Sequence, residues 1–141
     1  MDIVELKGQY TRSQYEDMKV LMDQLTPGTV LSEETLRGVI ADPASHLYVM
    51  TEGERVVATG TMCLYRAPYA MHAAIEDVVV LEEYRGRGLG RAMLQHILSE
   101  AAAHSPIEVS LTSKPSRIAA NALYRALGFV QKDTNCYRLG L

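Results

Sequence analysis

Hydrophobic residues recur along this chain with two periods, one typical of helices and one typical of strands. At helical spacing they predict four amphipathic helices, with inner faces formed by Tyr15, Met18, Met22 and Leu25, by Leu36, Val39 and Ile40, by Leu94, Ile97, Leu98 and Ala101, and by Ala120, Leu123, Tyr124 and Leu127. Thr11 or Ser13 would cap the first helix and Ser32 the second, and Gly128 would end the last.

Alternating or β-branched apolar residues predict the strands between these helices. The predicted strands are Asp2–Leu6, His46–Thr51, Arg55–Leu64, Ala74–Leu81, Ile107–Thr112 and a closing hairpin of Phe129–Gln131 with Cys136–Leu139. Because Ile107–Thr112 follows a helix, we expect it to run parallel to Ala74–Leu81. The order of elements predicts the α/β class, with a mixed central sheet flanked by helices in a single domain over residues 1–141.

The charge and composition of the chain exclude several classes of function. The formal net charge of -3 gives no electrostatic argument for binding nucleic acid or an anionic membrane. The N-terminus lacks the basic and apolar regions of a signal peptide, and no apolar run is long enough to span a bilayer. We therefore expect a cytoplasmic protein in which Cys63 and Cys136 stay reduced. The four histidines show no metal-ligand spacing, so we expect no metal.

A glycine-rich turn, Arg85-Gly86-Arg87-Gly88-Leu89-Gly90-Arg91, lies between a predicted strand and a predicted helix. Unpaired amides at a helix N-terminus attract anions, glycine lets a phosphate approach the backbone, and the three arginines add positive charge. Gly90 is not followed by the Lys-Ser/Thr of a Walker loop, and the G-x-G-x-G spacing differs from a dinucleotide fingerprint. The turn therefore predicts a phosphate site of another kind.

Two motifs resemble the GNAT N-acetyltransferase superfamily: Arg85-x-x-Gly88-x-Gly90 after a hydrophobic strand, and Ala120-x-x-Leu123-Tyr124-x-x-Leu127-Gly128-Phe129. The resemblance implies transfer of an acetyl group from the co-substrate acetyl-CoA to an amine, by direct attack in a ternary complex. It also implies that the backbone of Val78 and Val80 binds the pantetheine arm, and that the amides from Gly86 to Arg91 hold the pyrophosphate.

One position departs from the family pattern. Many members carry Asn seven residues before the tyrosine, where this chain has Arg117. We expect either Arg117 or Asn121 to contact CoA. Alternatively, the segment from Ser113 to Arg117 would receive an anionic group of the substrate.

The chemistry needs a base and an acid. An alkyl ammonium must lose a proton before attack, and Glu76 is the candidate base, directly or through water; alternatively it is a solvated or salt-bridged carboxylate. Strand alternation would turn Asp77 to the other face. An amide of Val78 or Val79 would stabilise the oxyanion. The motif position implies that Tyr124 protonates the leaving thiolate; alternatively it is a core aromatic whose hydroxyl is satisfied locally.

The acceptor is predicted from a narrower resemblance. Leu25–Glu34 and His72–Val78 are similar to stretches of glucosamine-6-phosphate N-acetyltransferases, which are intertwined dimers. This similarity implies a small-molecule amine, an amino-sugar phosphate, with Thr26 and Thr29 bonding the sugar, Glu76 and Asp77 at the substrate, and Lys114 or Arg117 at the phosphate. It also implies that this protein could form a homodimer. The alternatives are an ordinary helix-to-helix loop, a protein or peptide N-acetyltransferase, and a non-catalytic acyl-CoA-binding module.

Overall fold

The computed structural model describes every residue from Met1 to Leu141, and it confirms the predicted α/β class. The strands are β1 (Asp2–Glu5), β2 (Ser45–Glu52), β3 (Arg55–Arg66), β4 (Met71–Val80) and β5 (Glu108–Ser110). The helices are α1 (Arg12–Leu25), α2 (Glu33–Ala41), α3 (Leu89–Ala102) and α4 (Ile118–Ala126), and a short 3-10 helix covers Glu82–Tyr84.

The five strands form one mixed sheet in the order β1-β2-β3-β4-β5. Neighbours from β1 to β4 are antiparallel, and short loops join β2 to β3 and β3 to β4 as hairpins. Strand β5 follows a helical crossover and runs parallel to β4, as predicted. It is shorter than predicted and pairs only with His72–Ala74, so the sheet narrows sharply at this edge.

Helices α1 and α2 begin at the predicted hydroxyl residues. Thr11 accepts a hydrogen bond from the amide of Gln14, whose side chain in turn accepts one from the Thr11 amide. Ser32 caps α2 by accepting a hydrogen bond from the amide of Thr35. The inner face of α1 differs in one position from the prediction, because Leu21, which the pattern omitted, is completely buried.

The core lies where α3 packs against β3. Met93 and Ile97 of α3 are completely buried, as are Val56 and Val57 of β3. Gly60 makes this close approach possible, since a Cβ at that position would lie 2.9 Å from Cδ1 of Ile97 and 3.2 Å from Cγ of Met93. A larger residue at Gly60 would therefore displace the side chains of Ile97 and Met93 from their packing against β3.

Strand β4 carries a bulge opposite Gly60. Thr61 pairs with Glu76 and Thr59 with Val79, so β4 has one residue more than β3 between these pairs. Asp77 lies in this bulge with φ of +53°, in the left-handed region. The prediction that Asp77 follows simple strand alternation is therefore wrong, because the extra residue interrupts the two-residue period.

Contacts divide the chain into two compact units, Met1–Leu111 and Thr112–Leu141. The second unit contains α4, and Gly128, with φ of +98°, follows its end as predicted. The predicted closing hairpin is wrong, since no strand forms after α4 and every side chain from Val130 to Leu141 is exposed. Two strands of three and four residues have too little buried surface to stay paired as an isolated ribbon.

Candidate active site

The edge of β4 that faces away from β3 is open over most of its length. Because β5 pairs only with His72–Ala74, residues Ile75–Val80 have no strand partner on that side. The amide of Leu81 donates to the carbonyl of Val57 in β3 at 2.9 Å, so by alternation Val80 and Val78 direct their backbone groups away from β3. Val79 faces Thr59 in the β3–β4 ladder, which makes Val78 the better placed of the two predicted oxyanion donors.

The predicted phosphate loop leads from this strand into α3. Gly86 and Gly88 have φ of +77° and +78°, a conformation that strains any residue with a Cβ. Gly88 is the N-cap of α3, and no side chain caps this helix, whereas hydroxyl groups cap α1 and α2. The first amides of α3 therefore lack side-chain partners, and they can bind an anion.

Arg85, Arg87 and Arg91 are exposed at this loop, and none of them forms an ion pair with the protein. The guanidinium of Arg87 lies 4.7 Å from the centre of the Tyr84 ring and donates to the carbonyl of Glu83 at 3.3 Å. Stacking restricts the motion of the Arg87 side chain without neutralising its charge. The loop thus presents free positive charge, as the sequence predicted.

Buried Tyr84 anchors the loop to the distant β2–β3 hairpin. Its hydroxyl donates a hydrogen bond to Glu52, and this bond, together with burial, raises the pKa of Tyr84 above its ordinary value. Arg55 bonds Glu83 at 2.6 Å and lies on the Tyr84 ring. These contacts could not be predicted from the sequence, because the partners lie 28 and 32 residues apart and no local pattern marks them.

The carboxylates of Glu76 and Asp77 are both exposed at the bulge of β4. Neither forms a salt bridge, which removes the salt-bridged interpretation of Glu76 and leaves either a reactive or a solvated carboxylate. A non-glycine residue in the left-handed region is uncommon and concentrates at functional sites. The bulge therefore brings two free carboxylates to consecutive exposed positions beside the open edge.

The loop between α1 and α2 carries the predicted acceptor residues Thr26 and Thr29. The Thr29 amide donates to the Thr26 carbonyl at 3.0 Å, and the Gly28 amide donates to Oδ1 of Asp23 at 2.9 Å. Thr26, Thr29 and Val30 are exposed, with Val30 at 87%. The loop is thus tied to the end of α1 while its hydroxyl groups stay accessible.

In the second unit, Tyr124 lies in α4 with its ring 6.1 Å from that of Phe129 in an edge contact. The Phe129 amide also donates to the Tyr124 carbonyl at 3.0 Å. Tyr124 is partly exposed, and its hydroxyl makes no hydrogen bond within the protein. The alternative of a core aromatic with a locally satisfied hydroxyl is therefore wrong.

Asn121 organises the turn before α4. Its Nδ2 donates to the carbonyls of Lys114 and Arg117 at 2.9 and 2.8 Å. Arg117 is the N-cap of α4, and both Arg117 and Lys114 are exposed. This local role of Asn121 was not predicted, and it leaves the two basic side chains accessible to an anion.

No three His, Cys, Asp or Glu side chains lie together in an arrangement that could hold a metal ion. None of the helices combines the length and apolar character that crossing a membrane requires.

Comparison with known proteins supports a common origin for most of the chain. The model of the acetyltransferase (GNAT) family matches residues 10–129. Glucosamine 6-phosphate N-acetyltransferase 1 of Oryza sativa subsp. japonica is 29% identical over 123 residues, which is 80% of this chain and 73% of that protein. The N-acetyltransferase of Escherichia coli (strain K12) named for an alanine of ribosomal protein bS18 is 37% identical over 57 residues, only 40% of this chain and 38% of that protein.

Solved structures share the same fold. A protein of Agrobacterium tumefaciens str. C58 that is assigned as an acetyltransferase superimposes with a TM-score of 0.86 and 26% identity, over 99% of this chain and all of that one. An aminoglycoside acetyltransferase from an uncultured soil metagenomic sample gives a TM-score of 0.85 over 99% of this chain and 95% of that one. At 14% identity, the second likeness concerns the fold alone.

Proposed function

Because this chain belongs to the GNAT acetyltransferase family and is an acetyl-CoA-dependent N-acetyltransferase, we propose that its acceptor is the primary amine of a small molecule, an amino-sugar phosphate. The observation that carries the donor side is the open edge of β4 leading into an uncapped α3. An extended pantetheine arm can add to such an edge as a strand does, through backbone hydrogen bonds. The family match covers residues 10–129, which include most of the first compact unit and part of the second.

The residues of the loop fit the diphosphate of CoA. Gly86 and Gly88 adopt left-handed conformations, and the neighbouring Arg85, Arg87 and Arg91 are exposed and free of ion pairs, which supports an anion site at the amides from Gly86 to Arg91. By the family resemblance, Arg117 or Asn121 would also contact CoA. When bound, acetyl-CoA supplies an activated acetyl group on a thioester.

The chain then has to move two protons and stabilise one negative charge. Glu76 would take a proton from the ammonium of the acceptor, directly or through water, so that the nitrogen lone pair can attack. The amide of Val78 would stabilise the negative charge that develops on the acetyl oxygen. As the new C–N bond forms and the C–S bond breaks, the hydroxyl of Tyr124 would give its proton to the departing sulfur. The attacking nitrogen would lose its second proton to the resulting tyrosinate, so that the products are a neutral amide and the thiol of CoA.

The acceptor assignment is supported by the plant relative, which is named for glucosamine 6-phosphate. Thr26 and Thr29 offer accessible hydroxyl groups to a sugar, and the Glu76 and Asp77 carboxylates would attract its ammonium group. Lys114 or Arg117, both exposed and free of ion pairs, would bind the phosphate. A homodimer, as in the intertwined amino-sugar enzymes, belongs to this proposal.

The donor site can be tested with two glycines of equal backbone strain. Gly88 and Gly8 have φ of +78° and +74°, and neither has an atom near the position of a Cβ. We expect Gly88→Ala and Gly8→Ala to lose similar stability, about 1 to 2 kcal/mol. Only Gly88→Ala should weaken the binding of CoA, because the strain disfavours the phosphate-binding conformation. We expect its Kd, measured by calorimetry, to rise about tenfold. Equal CoA affinities in the two variants would contradict this assignment of the loop.

The acceptor can be tested by measuring CoA release with a panel of amines. We expect glucosamine 6-phosphate to give the highest kcat/KM, with glucosamine at least about tenfold lower because it lacks the phosphate contact, a loss of roughly 1.4 kcal/mol. The panel includes polyamines, aminoglycosides and a peptide beginning with alanine. The partial similarity to the ribosomal-protein enzyme makes that peptide the second candidate, and a higher kcat/KM for it would replace the amino-sugar assignment.

A further inference from the structure

Gln24 bridges two backbone groups at the point where β4 ends and the phosphate loop begins. Its Nε2 donates to the carbonyl of Val80 at 2.6 Å, and its Oε1 accepts from the amide of Glu82 at 2.9 Å. The partners are 56 and 58 residues away in sequence. One side chain therefore satisfies two backbone groups that the sheet leaves unpaired.

The location of this bridge matters because strand pairing stops there. The last bond between β3 and the end of β4 runs from the Leu81 amide to the Val57 carbonyl. Val80 directs its groups to the opposite side, where no strand follows. Holding the Val80 carbonyl from that side fixes the orientation of the Val80–Leu81 peptide, at the point where the open edge leads into the phosphate loop.

Gln24 also lies next to the α1–α2 loop, which carries the predicted acceptor residues. Gln24 lies in the last turn of α1, which ends at Leu25, one residue before Thr26. Its neighbour Asp23 bonds the amide of Gly28, so the loop and the end of α1 form one connected segment. The carboxamide of Gln24 thus bonds the end of β4 to the last turn of α1, and Asp23 in the same turn bonds the α1–α2 loop.

We propose that Gln24 is a positioning residue that holds the end of β4 in the conformation that binds acetyl-CoA and transmits this binding to the α1–α2 loop. The proposal rests on the proposed function, since it requires the cofactor to add along β4. The bridge needs one donor and one acceptor on a side chain of this length, and only glutamine among the uncharged residues provides both.

The test measures hydrogen–deuterium exchange and CoA affinity in the full chain. In the unmodified protein, CoA should slow exchange at residues 78–91 and also at 26–31. In Gln24→Leu, which has nearly the same volume but no polar group, CoA should still slow exchange at 86–91 but not at 26–31, and its Kd should rise about fivefold. Val20→Ala, at an exposed position of α1, serves as the control and should behave as the unmodified protein.

Gln24→Asn keeps both polar groups on a shorter side chain, so it tests the same point should Gln24→Leu fold poorly. We expect it to lose the protection at 26–31 as well, because the amide no longer reaches Val80. Protection at 26–31 that persists in either folded variant would overturn the positioning role while leaving the donor site intact. Absence of CoA binding in the unmodified protein would instead overturn the proposed function, and the positioning role with it.

Discussion

Tyr124→Phe is expected to reduce kcat by about 100-fold at saturating acetyl-CoA and amine, which is typical for removal of a general acid. The hydroxyl of Tyr124 makes no hydrogen bond within the protein, so its removal leaves no buried group unsatisfied. Phenylalanine also keeps the edge contact with Phe129. We therefore expect the melting temperature and the KM for acetyl-CoA to stay close to their original values.

The matched control for this variant is Tyr137→Phe, since Tyr137 lies in the same compact unit and is 88% exposed. Its kcat should equal that of the unmodified protein. Steady-state assays of both variants under the same conditions separate the acid from a general effect of losing a phenol. A kcat for Tyr124→Phe within a factor of about two of the original would remove Tyr124 from the acid role.

Glu76→Gln is expected to lower kcat/KM for the amine by about 100-fold near neutral pH, because glutamine cannot accept the ammonium proton. The loss should shrink as the pH rises toward the pKa of the amine, since the free base then needs no help from the enzyme. Measuring kcat/KM against pH for the variant and the unmodified protein shows this convergence directly.

Two further variants give the Glu76 experiment its controls. Glu54→Gln removes an exposed carboxylate in the β2–β3 turn and should change nothing. Asp77→Asn removes the neighbouring carboxylate at the bulge and should raise the KM for the amine while kcat stays close to its original value, because this carboxylate only attracts the ammonium group. A loss for Glu76→Gln that lies entirely in KM, with kcat unchanged at saturating amine, would indicate that Glu76 binds the substrate electrostatically and does not take its proton.

The local parts of the site could be predicted because each depends on residues close together in sequence. Helical spacing and a hydroxyl cap define α1 and α2, and two glycines in a left-handed conformation define the turn before α3. The helical position of Tyr124 follows from the spacing of apolar residues in α4. These features are set by backbone geometry over a few residues, so the sequence alone carries them.

The structural predictions that were wrong depended on pairing and burial between distant segments, and not on local sequence. Simple alternation failed at Asp77, because a bulge depends on the register between two strands and not on the sequence of one. The closing hairpin failed because the apolar residues of Val130–Leu141 are all exposed, so no burial stabilises pairing. Leu21 was missed because three- and four-residue spacing from Tyr15 and Met18 allows more than one inner face.

The sequence by itself determined that this chain is an α/β acetyltransferase with a glycine-rich turn between a strand and a helix, since short motifs and periodicity encode these features. Only the tertiary structure decided how that site is held. The short β5 leaves the edge of β4 open, Tyr84 and Glu52 anchor the loop, and Gln24 fixes the strand end. Each of these joins segments far apart in the chain, and such contacts exist only once the sheet has brought those segments together.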